Sequence, residues 1–246
     1  MKILISNDDG IFAPGIAALT KAFAAAGYEV VVCAPDSQRS AASHGLTIGR
    51  RINVKETTME GAVRAFAIGG TPADCVKLGL MVLCPEAEAV ISGVNHGANV
   101  GTDVLYSGTV AAAMEGAVCG RPALAVSQMD VRQDFAPAAA LAVQVFETMR
   151  SHPLPPLSVL NLNHPGKGEL RGVSGARLEQ IYYTEAYAPE QEAGVTSYVL
   201  SGGIDADRRQ SEDYVKLTQG YATVTVVHAD MTDCAATNAW EALLNG

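Results

Sequence analysis

Asp8 and Asp9 follow directly on the apolar run Ile3 to Ile5 and precede Gly10, and their types and spacing give the first indication of chemistry in this chain. Adjacent side chains diverge along a strand, so two carboxylates reach one point only where a strand has ended and the backbone is turning. Asn7, Gly10, Pro14 and Gly15 supply residues that break regular structure. Neighbouring carboxylates repel and raise each other's pKa unless a cation compensates them, which points to a hard divalent metal. The competing reading is that Asn7 or Asp8 caps the helix that follows.

Two later loops carry further oxygen donors, Ser40 and Ser43 in one and Asn95 and Asn99 in the other. Carboxylates, amide carbonyls and hydroxyls suit magnesium, manganese or calcium, whereas zinc asks for histidine or thiolate. Magnesium or manganese fits this set best. A cation with few protein ligands keeps open positions for water and a substrate phosphate oxygen. Tyr106-Ser107-Gly108-Thr109 leads into a helical segment, so its N–H groups lie at a positive helix end suited to phosphate; Ser107 or Thr109 equally serves as an N-cap. Arg39 either pairs with a substrate phosphate or fixes Asp36. His44 and His96 lie inside these loops and are candidates for protonating a leaving oxygen. No G-x-x-x-x-G-K-[ST] is present, and no G-x-G-x-x-G follows the first strand, which disfavours the P-loop and classical dinucleotide readings.

The elements that must position these residues alternate between strand and helix, the pattern of βαβ units around a mainly parallel sheet. Strands are expected at Lys2 to Ser6, Tyr28 to Ala34, Ala87 to Ser92, Ala123 to Ser127 and Ser158 to Leu162, with a hairpin of Ile48 to Val54 and Val63 to Ile68. Helices are expected at Gly15 to Ala26, stopping at Gly27, at Thr109 to Val118 and at Phe135 to Arg150. Another opens at Thr71, with Pro72 as its first helical residue and Asp74 three positions on from the cap. Gly93 to Gly108 reads as a long glycine-rich loop, and loops of that length are usually functional. Beyond about Gly166 the alternation fades into an antiparallel extension. Its strand signals are Gln180 to Thr184, Thr196 to Leu200 and Ala222 to Val227, with a short helix within Arg208 to Gly220 and a terminal helix at Asn238 to Leu244. The expected organisation is one domain over 1–246, with a core of about 1–165 and an extension of about 166–246.

Bulk properties narrow the function. Hydrophobic residues make up 48% and charged residues 17%, as in a globular protein, and no apolar run approaches the roughly 20 residues of a membrane span. A net charge of -9 argues against a nucleic-acid polymer as partner. Five scattered cysteines without a C-x-x-C pair, and no secretory-type apolar stretch at the start, suggest a reducing cytoplasm.

Several longer motifs stand in order along the chain: Ser6-Asn7-Asp8-Asp9-Gly10, Ala34-Pro35-Asp36 with Arg39-Ser40, and Ser92-Gly93-Val94-Asn95 with Gly97 and Asn99. To these add the run Tyr106 to Gly116, Gly70-Thr71-Pro72 with Asp74-Cys75-Val76, and Gly220-Tyr221 with His228-Ala229-Asp230. In these motifs there is a close resemblance to the SurE family. It implies a Rossmann-like three-layer α/β fold whose C-terminal extension exchanges between subunits, hence a homodimer or homotetramer. It also implies a metal-dependent 5'-nucleotidase with metal ligands at Asp8, Asp9, Ser40 and Asn95. Ala41 stands where many relatives have glycine, and Ser37-Gln38 where a basic or polar pair is usual, so the loop holds its substrate in its own way.

The expected reaction is hydrolysis of nucleoside 5'-monophosphates, with 3'-nucleotides or short polyphosphates as further substrates. Asp8, Asp9 and Asn95 would carry the chemistry, Asp9 as general base or as nucleophile. Ser107, Gly108, Thr109, Asn99 and Arg39 would bind phosphate. Two alternatives are a metal-dependent nucleotide-binding protein without turnover and a phosphate-responsive signalling module. The second fits poorly, because a receiver domain is about half this length and gives no reason for the Gly93 to Gly108 loop.

Overall fold

The computed structural model describes residues 1–132, 134–184, 186–192 and 194–245. Its first strand, β1 (Lys2–Ser6), carries Ile3, Leu4 and Ile5 with no exposed surface, because helices cover both faces of the sheet. Helix α1 (Pro14–Ala25) starts on its proline and ends just before Gly27, as its sequence signals require. Strand β2 (Glu29–Pro35) runs parallel to β1, and a long irregular segment leads to the antiparallel pair β3 (Val54–Thr57) and β4 (Ala62–Ile68). The expected strand Ile48 to Val54 is therefore displaced. Ile48 is exposed, and the chain before Val54 is held by other bonds, Thr47 N–H to Asp74 at 2.9 Å and Gly69 N–H to the Asn53 carbonyl at 2.8 Å.

Helix α2 (Pro72–Leu78) has the expected capping box: the Thr71 hydroxyl accepts from Asp74 N–H at 3.0 Å and Asp74 accepts from Thr71 N–H at 2.9 Å. A π-helical turn at Gly79–Leu83 extends it. Strand β5 (Ala89–His96) continues past the expected Ser92 through an irregularity between Ser92 and Asn95. A 3-10 turn at Gly101–Leu105 occupies part of the expected loop. Helix α3 (Gly108–Val118), strand β6 (Ala123–Gln128), helix α4 (Ala136–Ser151) and strand β7 (Ser158–His164) follow as the alternation predicted.

Beyond 166 come β8 (Val173–Gly175), β9 (Ala186–Glu192), β10 (Val195–Ser201), α5 (Glu212–Thr218), β11 (Ala222–His228) and α6 (Cys234–Asn245). The expected strand Gln180 to Thr184 contributes only the bridge Tyr183 to Ile204, its backbone being bonded instead to side chains such as Gln210 and Thr102. Strands β9 and β10 form an antiparallel ribbon by themselves, whereas β11 returns to the main sheet antiparallel to β7.

The main sheet has the order β3-β4-β2-β1-β5-β6-β7-β11-β8, with α1 and α4 packed together on one face and α2 and α3 on the other. This is a three-layer, mainly parallel α/β fold. From β1 the chain winds one way through β2 and β4, then restarts at β5 and winds the other way through β6 and β7. The β1/β5 junction is thus a topological switch point, where the flanking connections diverge and leave a crevice at the strands' carboxyl ends.

Candidate active site

Asp8 and Asp9 follow β1 at this junction, and Asn95 lies on the neighbouring β5. The turn is tied by Asn7, whose side-chain amide donates to the Gly10 carbonyl at 2.9 Å, and by Ile11 N–H bonded to the Pro35 carbonyl at 2.8 Å. Asn7 therefore acts within the turn, and the cap of α1 is Ala13, with no side-chain cap bond.

Asp8 is buried and lies against the first turn of α3. The Thr109 hydroxyl donates to its Oδ1. A Cβ added to Gly108 would lie 2.7 Å from the Asp8 Cβ and 2.8 Å from its Oδ2, so only glycine admits the acid at this distance. Burial, and then the adjacent Asp9 charge, push the Asp8 carboxyl up to about 6 against the opposing bond from Thr109. Asp9 is less buried and accepts the His96 N–H at 3.1 Å. Among the described residues neither acid has a basic side chain ion-paired to it, and no cluster of three or more His, Cys, Asp and Glu side chains is arranged for a metal. A cation here must draw on amide and hydroxyl oxygens beside two carboxylates. Asn95 suits this, because its amide nitrogen donates to the Gly97 carbonyl at 2.8 Å and the carbonyl end is left as the donor atom.

Ser40 sits on the exposed segment after β2, where its hydroxyl accepts from Gln38 at 2.9 Å. The preceding residue, Arg39, brings it beside the acids through a 2.7 Å backbone bond to the Asp8 carbonyl. The Arg39 side chain reaches Asp36 at 3.4 Å. Ser107 is the N-cap of α3, accepting from Val110 N–H at 3.0 Å. Asn99 is buried in an amide cluster: its side chain donates to Ser127 at 2.8 Å, its N–H to Asn163 at 2.8 Å, and its carbonyl accepts from Asn161 and Asn163.

Of the expected residues, Asp8, Asp9, Asn95, Gly108 and Thr109 therefore gather around the β1/β5 crevice, with Arg39 tied to them through its backbone. Ser107 and Asn99 have structural bonds of their own. His44 is directed elsewhere, its Nε2 lying 2.8 Å from Glu115, two helical turns beyond Gly108. The residue that sequence reasoning passed over is Glu115 itself. Nearly fully buried, it also binds the Lys77 ammonium at 2.6 Å, and these partners hold its carboxyl below the usual range despite its burial. A charged residue in the middle of an Ala-rich helical run was the available signal.

Comparison with known proteins finds relatives of the chain as a whole. The chain matches the family model described as Survival protein SurE over residues 3–185. It is 42% identical over 245 residues to the 5'-nucleotidase SurE of Clostridium beijerinckii, covering 96% of each chain. It is 41% identical to that of Aeromonas hydrophila, covering 98% of each. The crystal structure of the SurE protein from Aquifex aeolicus superimposes with a TM-score of 0.84 at 32% identity, covering 99% of each chain.

Proposed function

The chain belongs to the SurE family, and we propose that it is a 5'-nucleotidase that hydrolyses nucleoside 5'-monophosphates to nucleoside and phosphate. The observation that carries this reading is the buried Asp8 carboxylate beside Asp9 at the sheet's switch point, with no basic side chain ion-paired to either among the described residues. Asp8, Asp9, Ser40 and Asn95 would hold one divalent cation, magnesium or manganese. When bound, it supplies charge neutralisation on the phosphate and a more acidic water.

The protein's own groups do the rest. Of the first turn of α3, the Gly108 N–H and the Ser107 hydroxyl would face developing negative charge from a positive helix end, the Val110 N–H being bonded to Ser107. Thr109 orients Asp8. Asn99, fixed in its amide cluster, and Arg39 would bind the remaining phosphate oxygens. Asp9, the more accessible acid, accepts the proton of the attacking water; as a nucleophile it would instead form an acyl phosphate, which acid quench of a radiolabelled turnover detects as label on protein.

The test is phosphate release by chelator-treated protein from AMP, GMP, 3'-AMP, tripolyphosphate and p-nitrophenyl phosphate, with magnesium or manganese restored. Cation-dependent release from the 5'-nucleotides is expected. Binding without release would leave a nucleotide-binding protein.

The same reading includes a homodimer or homotetramer. Helix α6 has no buried residue, and Trp240, Leu243 and Leu244 lie open on it, as do Tyr187, Tyr198 and Leu200 on the β9–β10 ribbon. Exposed apolar area of this extent suits a subunit interface. Light scattering showing only monomer at micromolar concentration would contradict it. Free thiols at all five cysteines suit a cytoplasmic location, and no described helix is long and apolar enough to cross a membrane.

A further inference from the structure

Beside Asp9 opens a cavity of about 370 Å³ whose walls include Asp9, Gly10, Phe12, Asp36, Gln38 and His96. Phe12 is 76% exposed although Gly10 and Ile11, just before it, are buried. A solitary exposed apolar side chain is ordinary on a protein surface. This one differs because the backbone around it is fixed. Ile11 N–H is bonded to the Pro35 carbonyl at 2.8 Å, Ala13 N–H to the Gly10 carbonyl at 3.0 Å, and the Asn7 amide to that same carbonyl at 2.9 Å. A tight, pinned turn thus holds an aromatic ring out at the rim of a cavity that shares Asp9 with the candidate catalytic site. A second lining residue is joined to that site too, since Gln38 donates to Ser40 at 2.9 Å. His96 is held by stacking on Phe135, with ring centroids 4.9 Å apart and planes within 8°.

We propose that Phe12 is a base-stacking residue and that this cavity receives the nucleoside part of the substrate. The inference rests on the 5'-nucleotidase reading and specifies where its substrate's base lies. A cavity of this volume is in the range of small-molecule sites. An aromatic face binds every nucleobase through its π-surface, so the stack supplies affinity with little base discrimination. The carbonyl and amide groups of Gln38 and the Asp36 carboxylate offer hydrogen bonds to ribose or base edges.

The test compares AMP with ribose 5-phosphate, which has the same phosphomonoester and sugar but no base. In Phe12→Ala the KM for AMP should rise roughly tenfold, the scale of one lost base–aromatic stack, with kcat within twofold and the KM for ribose 5-phosphate unchanged. Phe12→Trp should restore the wild-type KM. An unchanged KM for AMP, or an equal rise for both substrates, would overturn the proposal. If the wild type releases phosphate from neither, the hydrolytic reading fails separately, and equilibrium binding of AMP then makes the same comparison. A roughly tenfold loss of affinity in Phe12→Ala would support the stack, and equal affinity would remove it.

Discussion

The Thr109 hydroxyl donates to Asp8 Oδ1 across 101 residues of sequence, joining the first turn of α3 to the acid that follows β1. This bond makes α3 part of the site through its packing as well as through its dipole. Oδ1 is thereby held by Thr109, while Oδ2 lies against Gly108.

Asp8 carries a cost that a cation should relieve. Its folded pKa of about 6 lies above the ordinary 3.8, so the native state binds more protons than the unfolded chain between those values. In metal-free protein its contribution to stability is therefore fully present below about pH 4 and is lost as pH rises through 6, an effect of roughly 2–3 kcal/mol. Asp8→Asn should accordingly melt higher than wild type at pH 7 without metal, with the difference vanishing near pH 4, while losing activity. Manganese should raise the wild-type melting temperature more at pH 7 than at pH 5. Thermal melts of both proteins across pH measure this, and a variant less stable than wild type at pH 7 contradicts it.

Asp9→Asn should lower kcat by at least roughly two orders of magnitude, the scale of a lost electrostatic group in the chemistry. Circular dichroism should remain native, because Asp9 is only partly buried and Asn retains an oxygen to accept the His96 N–H. Steady-state kinetics with saturating manganese decide the point, and near-normal turnover would take Asp9 out of the reaction.

Gly108→Ala would set a methyl group 2.7 Å from the Asp8 Cβ. Helix α3 cannot yield without disturbing the core between it and the sheet, nor β1 without disturbing the core on both faces. The expected result is a loss of about 1–3 kcal/mol of stability, typical of overpacking, together with cation affinity weakened at least about tenfold. Urea denaturation and isothermal titration with manganese read the two effects independently.

Glu115→Gln should loosen the segment that carries Ser40. Glu115 draws His44 and Lys77 together from that segment and from α2, and Thr71 and Asp74 fasten Gly45 and Thr47 just beyond. His44 and Lys77 are each more than a third exposed and can rehydrate, so the stability lost should stay near 1–2 kcal/mol. The Glu115 carboxyl is held below its ordinary 4.5, so its contribution is present above that pH and lost as pH falls through the folded value. Cation titration should show several-fold weaker binding in the variant with little change in kcat at saturating metal, and an unchanged affinity would detach Glu115 from the site.

The local structure around the candidate site was legible in the sequence because short-range rules set it. Two acids after an apolar strand, a turn of Asn7 and Gly10, and the Thr71-Pro72-Ala73-Asp74 helix start each depend on a few neighbouring residues, and the fold reproduces the turn and the capping box. Buried apolar runs likewise marked β1, β2 and β6, since a strand covered on both faces has no polar positions to confuse its period. Residues 48–53 were misread as strand because β-propensity needs a partner strand to act on, and of this segment only Asn53 reaches one, its carbonyl accepting from Gly69 N–H beside the Val54–Ile68 pair, while Ile48 stays exposed. Only tertiary structure could decide that Thr109 serves Asp8, that His44 turns to Glu115, or that β11 rejoins the sheet beside β7. Each joins partners at least 60 residues apart, and no periodicity of 2 or 3.6 encodes which distant group meets which. The sequence determined which functional groups the chain owns and the local turns that present them; the winding of the sheet about β1 and β5 decided which of them share a crevice.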